Sequence, residues 1–94
     1  MKNIILHSGD ETSFKLNDGR EVRNLNELSE MLESMDDGTW MHHVNDEKND
    51  FSTWVLHALS DEKLAKNLLG ARDRREAQVT VLKRIIELLK EVAM

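Results

Sequence analysis

His43-Val44-Asn45-Asp46-Glu47-Lys48-Asn49-Asp50-Phe51-Ser52-Thr53-Trp54-Val55 lies at the middle of the 94-residue chain. It carries two large apolar anchors, Phe51 and Trp54, directly after a polar run, and it follows the other tryptophan, Trp40. Asn49 has the short acceptor side chain of a helix N-cap, and Asp50 then falls at the first helical position, where a negative charge suits the helix dipole. Phe51, Trp54, Val55 and Ala58 recur at three and four, so the stretch reads as a polar connection running into an amphipathic helix. Elements on both sides are expected to pack around it.

Working back toward the start, Asp36-Asp37-Gly38 interrupts the chain, and Asp37 is placed to cap a short helix over Thr39–Val44, with Trp40 and His43 or Val44 on one face. A strand is the alternative there, because Thr, Trp and Val also suit a sheet. Before it, Leu25, Leu28, Met31, Leu32 and Met35 make one helical stripe. Asn24 is its N-cap, and Glu27 stands in capping-box position. Earlier still, Ser13-Phe14-Lys15-Leu16 alternates, and Arg20-Glu21-Val22-Arg23 returns across Asn17-Asp18-Gly19. Asp-Gly is a strong hairpin-turn signal. A third strand over residues 3–7, with Ile4-Ile5-Leu6, would turn the hairpin into a meander.

Working forward, Ser60 is read as the next cap, with Asp61-Glu62 in a negative first turn. Leu64, Ala65, Leu68 and Leu69 form the stripe that follows, and Gly70 ends it. From about Arg72 to Met94 there is neither Gly nor Pro. Val79, Leu82, Ile85 or Ile86, Leu89 and Val92 repeat at three and four, with Val81 and Leu88 widening the apolar arc. The expected fold is α+β: an N-terminal β-hairpin or three-stranded meander, then four to five helices, mostly helical, with a long C-terminal helix. Residues 1–94 read as one small domain. The expected core is Phe14, Leu16, Val22, Leu25, Leu28, Leu32, Trp40, Phe51, Trp54, Val55, Leu64, Leu68, Leu82, Ile85 and Leu89.

Composition narrows the function classes. The chain has no cysteine, which removes disulfides, thiolate metal sites and cysteine nucleophiles. No apolar run approaches the ~20 residues of a membrane span, so no membrane is expected and the reading is cytoplasmic. The net charge of -5 is uneven, with residues 1–50 at -7 and residues 51–94 at +2. An acidic first half repels phosphate backbones. Arg72, Arg74 and Arg75 form the most basic patch, but Asp73 and Glu76 sit among them, so nucleic-acid binding is the weaker alternative.

No nucleophile motif, glycine-rich phosphate loop or zinc spacing is present. No catalytic residue, metal site or cofactor is therefore assigned. The candidate binding residues are His43, Asn49, Asp50, Trp54 and Trp40, each with a structural role beside it. His43 with Asp50, joined by His57, reads either as an acid–base or metal-binding unit of a small enzyme or, as the pair alone, as one that holds a turn together. The two tryptophans could anchor a partner or fill the core. The long apolar C-terminal stripe makes a homodimer through that helix an open expectation.

Three strings together resemble a known pattern: F-x-L-x-D-G-x-x-V-x-x-L-x-E-L from Phe14 to Leu28, H-V-x-x-x-x-N-D-F-x-x-W-V from His43 to Val55, and D-E-x-L-A over Asp61–Ala65. This order is similar to a family of small uncharacterised domains in archaeal and bacterial genomes, over about residues 13–70. Trp40 stands where that pattern carries Phe or Tyr, and His57 where it carries a charged residue. The resemblance implies a domain and a signature string but no activity. The functional expectation is a non-enzymatic protein-interaction or self-association module.

Overall fold

The computed structural model describes residues 13–93, with the side chains of residues 13–92. The expected strand over residues 3–7 lies outside them. Within them the order is β1 (Phe14–Lys15), β2 (Glu21–Val22), α1 (Leu25–Ser34), α2 (Asp37–His43), β3 (Val44–Asn45), β4 (Lys48–Asn49), α3 (Asp50–Leu59), α4 (Glu62–Leu69) and α5 (Arg74–Ala93). The protein is α+β and mostly helical, with two small antiparallel hairpins and a long final helix. None of the described helices is long and apolar enough to cross a membrane.

The first hairpin pairs Phe14 with Val22 and Lys15 with Glu21. Leu16 N–H donates to the Arg20 carbonyl at 2.8 Å, closing a loop in which Gly19 has φ of 94°. The turn therefore needs positive φ at Gly19 alone and not at Asp18, whose carboxylate instead accepts from the backbone and guanidinium of Arg20. At α1 the Asn24 side chain accepts from Glu27 N–H at 2.8 Å, and Glu27 reaches back to the N–H of Arg23 at 2.9 Å. That reciprocal pair satisfies two N–H groups at the helix start. Asp36, one residue earlier than expected, caps α2 through Thr39 N–H at 2.7 Å.

Two differences from the sequence reading matter. Ser60 is not a cap of α4; it closes α3 in the left-handed region at φ 57°. Asp61 is the cap, accepting from Leu64 N–H at 3.0 Å, and its second oxygen takes the Arg84 guanidinium at 2.8 Å. This carboxylate is 1% exposed, so the pair is a buried pin between α4 and α5.

The other difference is the rotation of α5. Its inner row is Ala77 and Val81, both fully buried, continued by the partly buried Ile85 and Leu88. Leu82 and Leu89, expected in the core, are 41% and 44% exposed. Ala77, Val81 and Leu88 lie on one line, one and three turns apart, and α5 packs on α1 and α4. Arg74 strengthens that rotation by donating to the Leu32 and Glu33 carbonyls at the end of α1. Those are carbonyls without a helical partner, so a cation there is favourable.

Candidate functional site

The second hairpin organises the central string. Val44 pairs with Asn49 and Asn45 with Lys48 around a two-residue turn, Asp46-Glu47. The residues just outside that register, His43 and Asp50, are thereby brought face to face. Their Nδ1 and Oδ2 atoms lie 3.0 Å apart. The other ring nitrogen, Nε2, accepts from the backbone N–H of Asn17 at 3.2 Å. A backbone N–H can only donate, so Nε2 carries the lone pair and Nδ1 the proton, which it donates to Asp50.

The ring is buried against aromatic faces: 5.1 Å from Phe14 edge-on and 5.6 Å from Phe51. Phe51 in turn stacks on Trp40 at 5.7 Å, and Phe14 meets Trp54 edge-on at 6.1 Å. His43 thus joins the first hairpin, α2 and the start of α3 in one contact. A general base needs a nitrogen free to face a substrate proton. Both nitrogens of His43 are occupied inside the fold.

Asp50 accepts from His43 and from Lys48 Nζ, both at 3.0 Å on the same oxygen. Burial opposes its charge, but these two donors and the Lys48 charge together outweigh it and hold the carboxyl below its ordinary range. Asn49 is equally committed. Its Oδ1 caps Ser52 N–H at 3.0 Å, and its Nδ2 donates to the Leu68 carbonyl at 3.1 Å, binding the start of α3 to the end of α4. Ser52 Oγ adds a buried bond to the Ala65 carbonyl at 2.7 Å.

The structure therefore brings His43, Asn49 and Asp50 together: the contacts of His43 and Asn49 are turned inward, and the Asp50–Lys48 pair lies at the surface. Both tryptophans are in the core, Trp54 at 8% and Trp40 at 7% exposed. His57 is exposed on the last turn of α3. Among the described residues no three His, Asp or Glu side chains gather in a group that could hold a metal ion. Arg72 pairs with Glu76 at 2.9 Å but stays exposed, Arg74 is docked on α1, and Arg75 is exposed.

Beside the central string lies an open groove of about 610 Å³. The second hairpin forms one wall and the α4–α5 junction the other, and Trp40, Val44, Asn49 and Ala71 contribute to its lining. Met41 and Leu69 stand at it with 61% and 67% of their surface exposed, the highest values among the large apolar residues described. Sequence reasoning missed both. Leu69 was assigned to the α4 stripe, yet it sits beside Leu68 immediately before Gly70, where an adjacent residue points about 100° away from the buried row. That offset was the available signal.

Residues 8–93 match DUF5752, a family of unknown function. The chain belongs to that family. The match spans both hairpins and all five helices, so the DUF5752 region is the folded unit described here. No curated protein and no solved structure matches the chain.

Proposed function

We propose that this DUF5752 domain is a non-enzymatic protein-interaction module. One observation carries the reading: His43 and Asn49 make their hydrogen bonds within the fold, whereas large apolar side chains are grouped and uncovered in two places. One is the groove, with Met41 and Leu69. The other is the outer side of α5, with Val79, Leu82, Ile86 and Leu89. Scattered single apolar residues are ordinary on a surface, but grouped ones mark contact sites.

At the groove the occupant is an extended protein segment that seats an apolar side chain between Met41 and Leu69. The outer side of α5 takes a second copy of the chain. The groove reading is tested by selecting peptides from a displayed random library on the immobilised full chain. Selected sequences are expected to share an apolar anchor and to lose at least about tenfold in affinity on Met41→Asp or Leu69→Asp, the scale of a lost anchor. Both variants should melt as the native chain does, since the side chains are exposed. A library without binders, or binders indifferent to both changes, would overturn the groove.

A further inference from the structure

The exposed face of α5 has more content than its hydrophobicity. Val79, Leu82, Ile86 and Leu89 follow one another at three, four and three residues, and each is 41–51% exposed. Taken as heptad positions, Val79 and Ile86 are a residues and Leu82 and Leu89 are d residues. This row lies roughly 140° around the helix from the Ala77–Val81–Leu88 row, on the side that packs on α1 and α4. α5 therefore has two seams, one filled and one open. We infer that the open seam pairs in parallel with the same seam of a second copy, as a short two-stranded coiled coil.

Three features single out that occupant. The first is side-chain shape: β-branched residues at a with leucine at d favour two parallel strands over higher assemblies. The second is charge. Lys83 and Lys90 border one edge of the seam at e, and Gln78 and Ile85 border the other at g. In a parallel pair each g residue faces the e residue of the partner's next heptad, so Gln78 meets the partner's Lys83 and Ile85 meets the partner's Lys90. No like charges oppose. In an antiparallel pair e faces e, and lysines would meet lysines, which works against association. The acidic residues Glu87 and Glu91 point away from the seam, and Glu87 is engaged with Lys63 and Arg84 within the chain.

The third feature is area. The four seam residues leave roughly 300 Å² of surface uncovered per copy, so a pair covers roughly 600 Å² of them besides the flanking stems, the size of a weak, reversible interface. That size fits a reversible dimer and not a permanent one. The inference deepens the self-association half of the proposed function and is independent of the groove.

Sedimentation equilibrium of the full chain, from micromolar to millimolar concentration, reads the stoichiometry. A reversible monomer–dimer equilibrium is expected, weakened at least about 100-fold by the Leu82→Gln, Leu89→Gln double variant, with the thermal melt of the monomer unchanged. Orientation is read separately. The chain contains no cysteine, so a Leu82→Cys variant carries the sole thiol, and in a parallel pair that residue meets its own copy. Rapid disulfide dimerisation under mild oxidation is expected. A chain that stays monomeric throughout overturns self-association and points to an acidic helix of another protein as the occupant. A dimer indifferent to the double variant overturns the seam. A dimer lost in the double variant whose Leu82→Cys form does not cross-link overturns only the parallel arrangement.

Discussion

Replacing Asp61 by alanine is expected to be among the most destabilising single changes in this domain. The carboxylate is 1% exposed and does two things: Oδ1 accepts from the buried Leu64 N–H, and Oδ2 accepts from Arg84. Loss of the cap costs about 1 kcal/mol and leaves an N–H without its acceptor. Loss of the ion pair would cost about 3–5 kcal/mol for a fully buried partner. Arg84, however, is 17% exposed and has Glu87 Oε1 at 3.7 Å as a substitute, so this part is smaller. Together the loss is about 3 kcal/mol, or a fall in Tm of roughly 12–24 °C for a domain of this size.

Asp61→Asn keeps an acceptor for Leu64 and removes only the charge, so it should cost about half as much. Urea denaturation followed by circular dichroism at neutral pH measures both. An Asp61→Ala variant within about 1 kcal/mol of the native chain would refute the double role. Equal losses for alanine and asparagine would show that the charge pair alone matters and the cap does not.

Other expectations concern the same framework. Ser60 has φ of 57°, a conformation that costs an L-residue about 1 kcal/mol and glycine almost nothing, so Ser60→Gly should raise Tm by about 5 °C in a calorimetric scan. A fall in Tm would mean the left-handed closure of α3 is wrong.

Acid should unfold the domain through its carboxylates. Asp18 is held below its usual value by Arg20, Asp36 by the Thr39 backbone, Glu76 by Arg72 and Glu87 by Lys63. Asp50 is held low against its burial by His43 and Lys48. A depressed folded-state value means stability that is complete above the unfolded value and is lost as pH falls through the folded one. Tm should therefore be level near neutrality and drop below about pH 4. A Tm unchanged down to about pH 2.5 would contradict these pairings. His43→Ala, which removes a buried ring and two hydrogen bonds, should cost about 2–3 kcal/mol by thermal or urea melting, whereas a change under about 0.5 kcal/mol would separate the residue from the fold.

Much of this architecture is legible in local sequence rules. Asn24 with Glu27 and Asn49 ahead of Phe51 announce their helix starts, because a capping side chain acts within three residues of itself. Phe14 and Val22 can be paired across Asp18-Gly19 for the same reason. What fails is what depends on distance. Val81 and Leu82, like Leu88 and Leu89, are neighbours of nearly equal hydrophobicity, and only the docking of α5 against α1 and α4 decides which of each pair is inside. The β3–β4 hairpin has two-residue strands and an Asp-Glu turn without glycine or asparagine, so it reads as a polar connection.

The central string was legible as a place but not as a task. The pairing of His43 with Asp50 follows from a hairpin register that the sequence hides. Once formed, it turns a suggestive pair of polar residues into a joint. Met41 and Leu69 became candidates only when the fold left them uncovered.

The claim most exposed to test is that His43 holds two hairpins together and has no nitrogen to offer a substrate. Nitrogen-15 NMR of the imidazole at neutral pH examines it directly. The account predicts a proton on Nδ1, coupled to Asp50 and slow to exchange with water, and an unprotonated Nε2 that accepts from Asn17. A proton on Nε2 with a bare Nδ1, or a ring proton exchanging as fast as that of an exposed histidine, would contradict it.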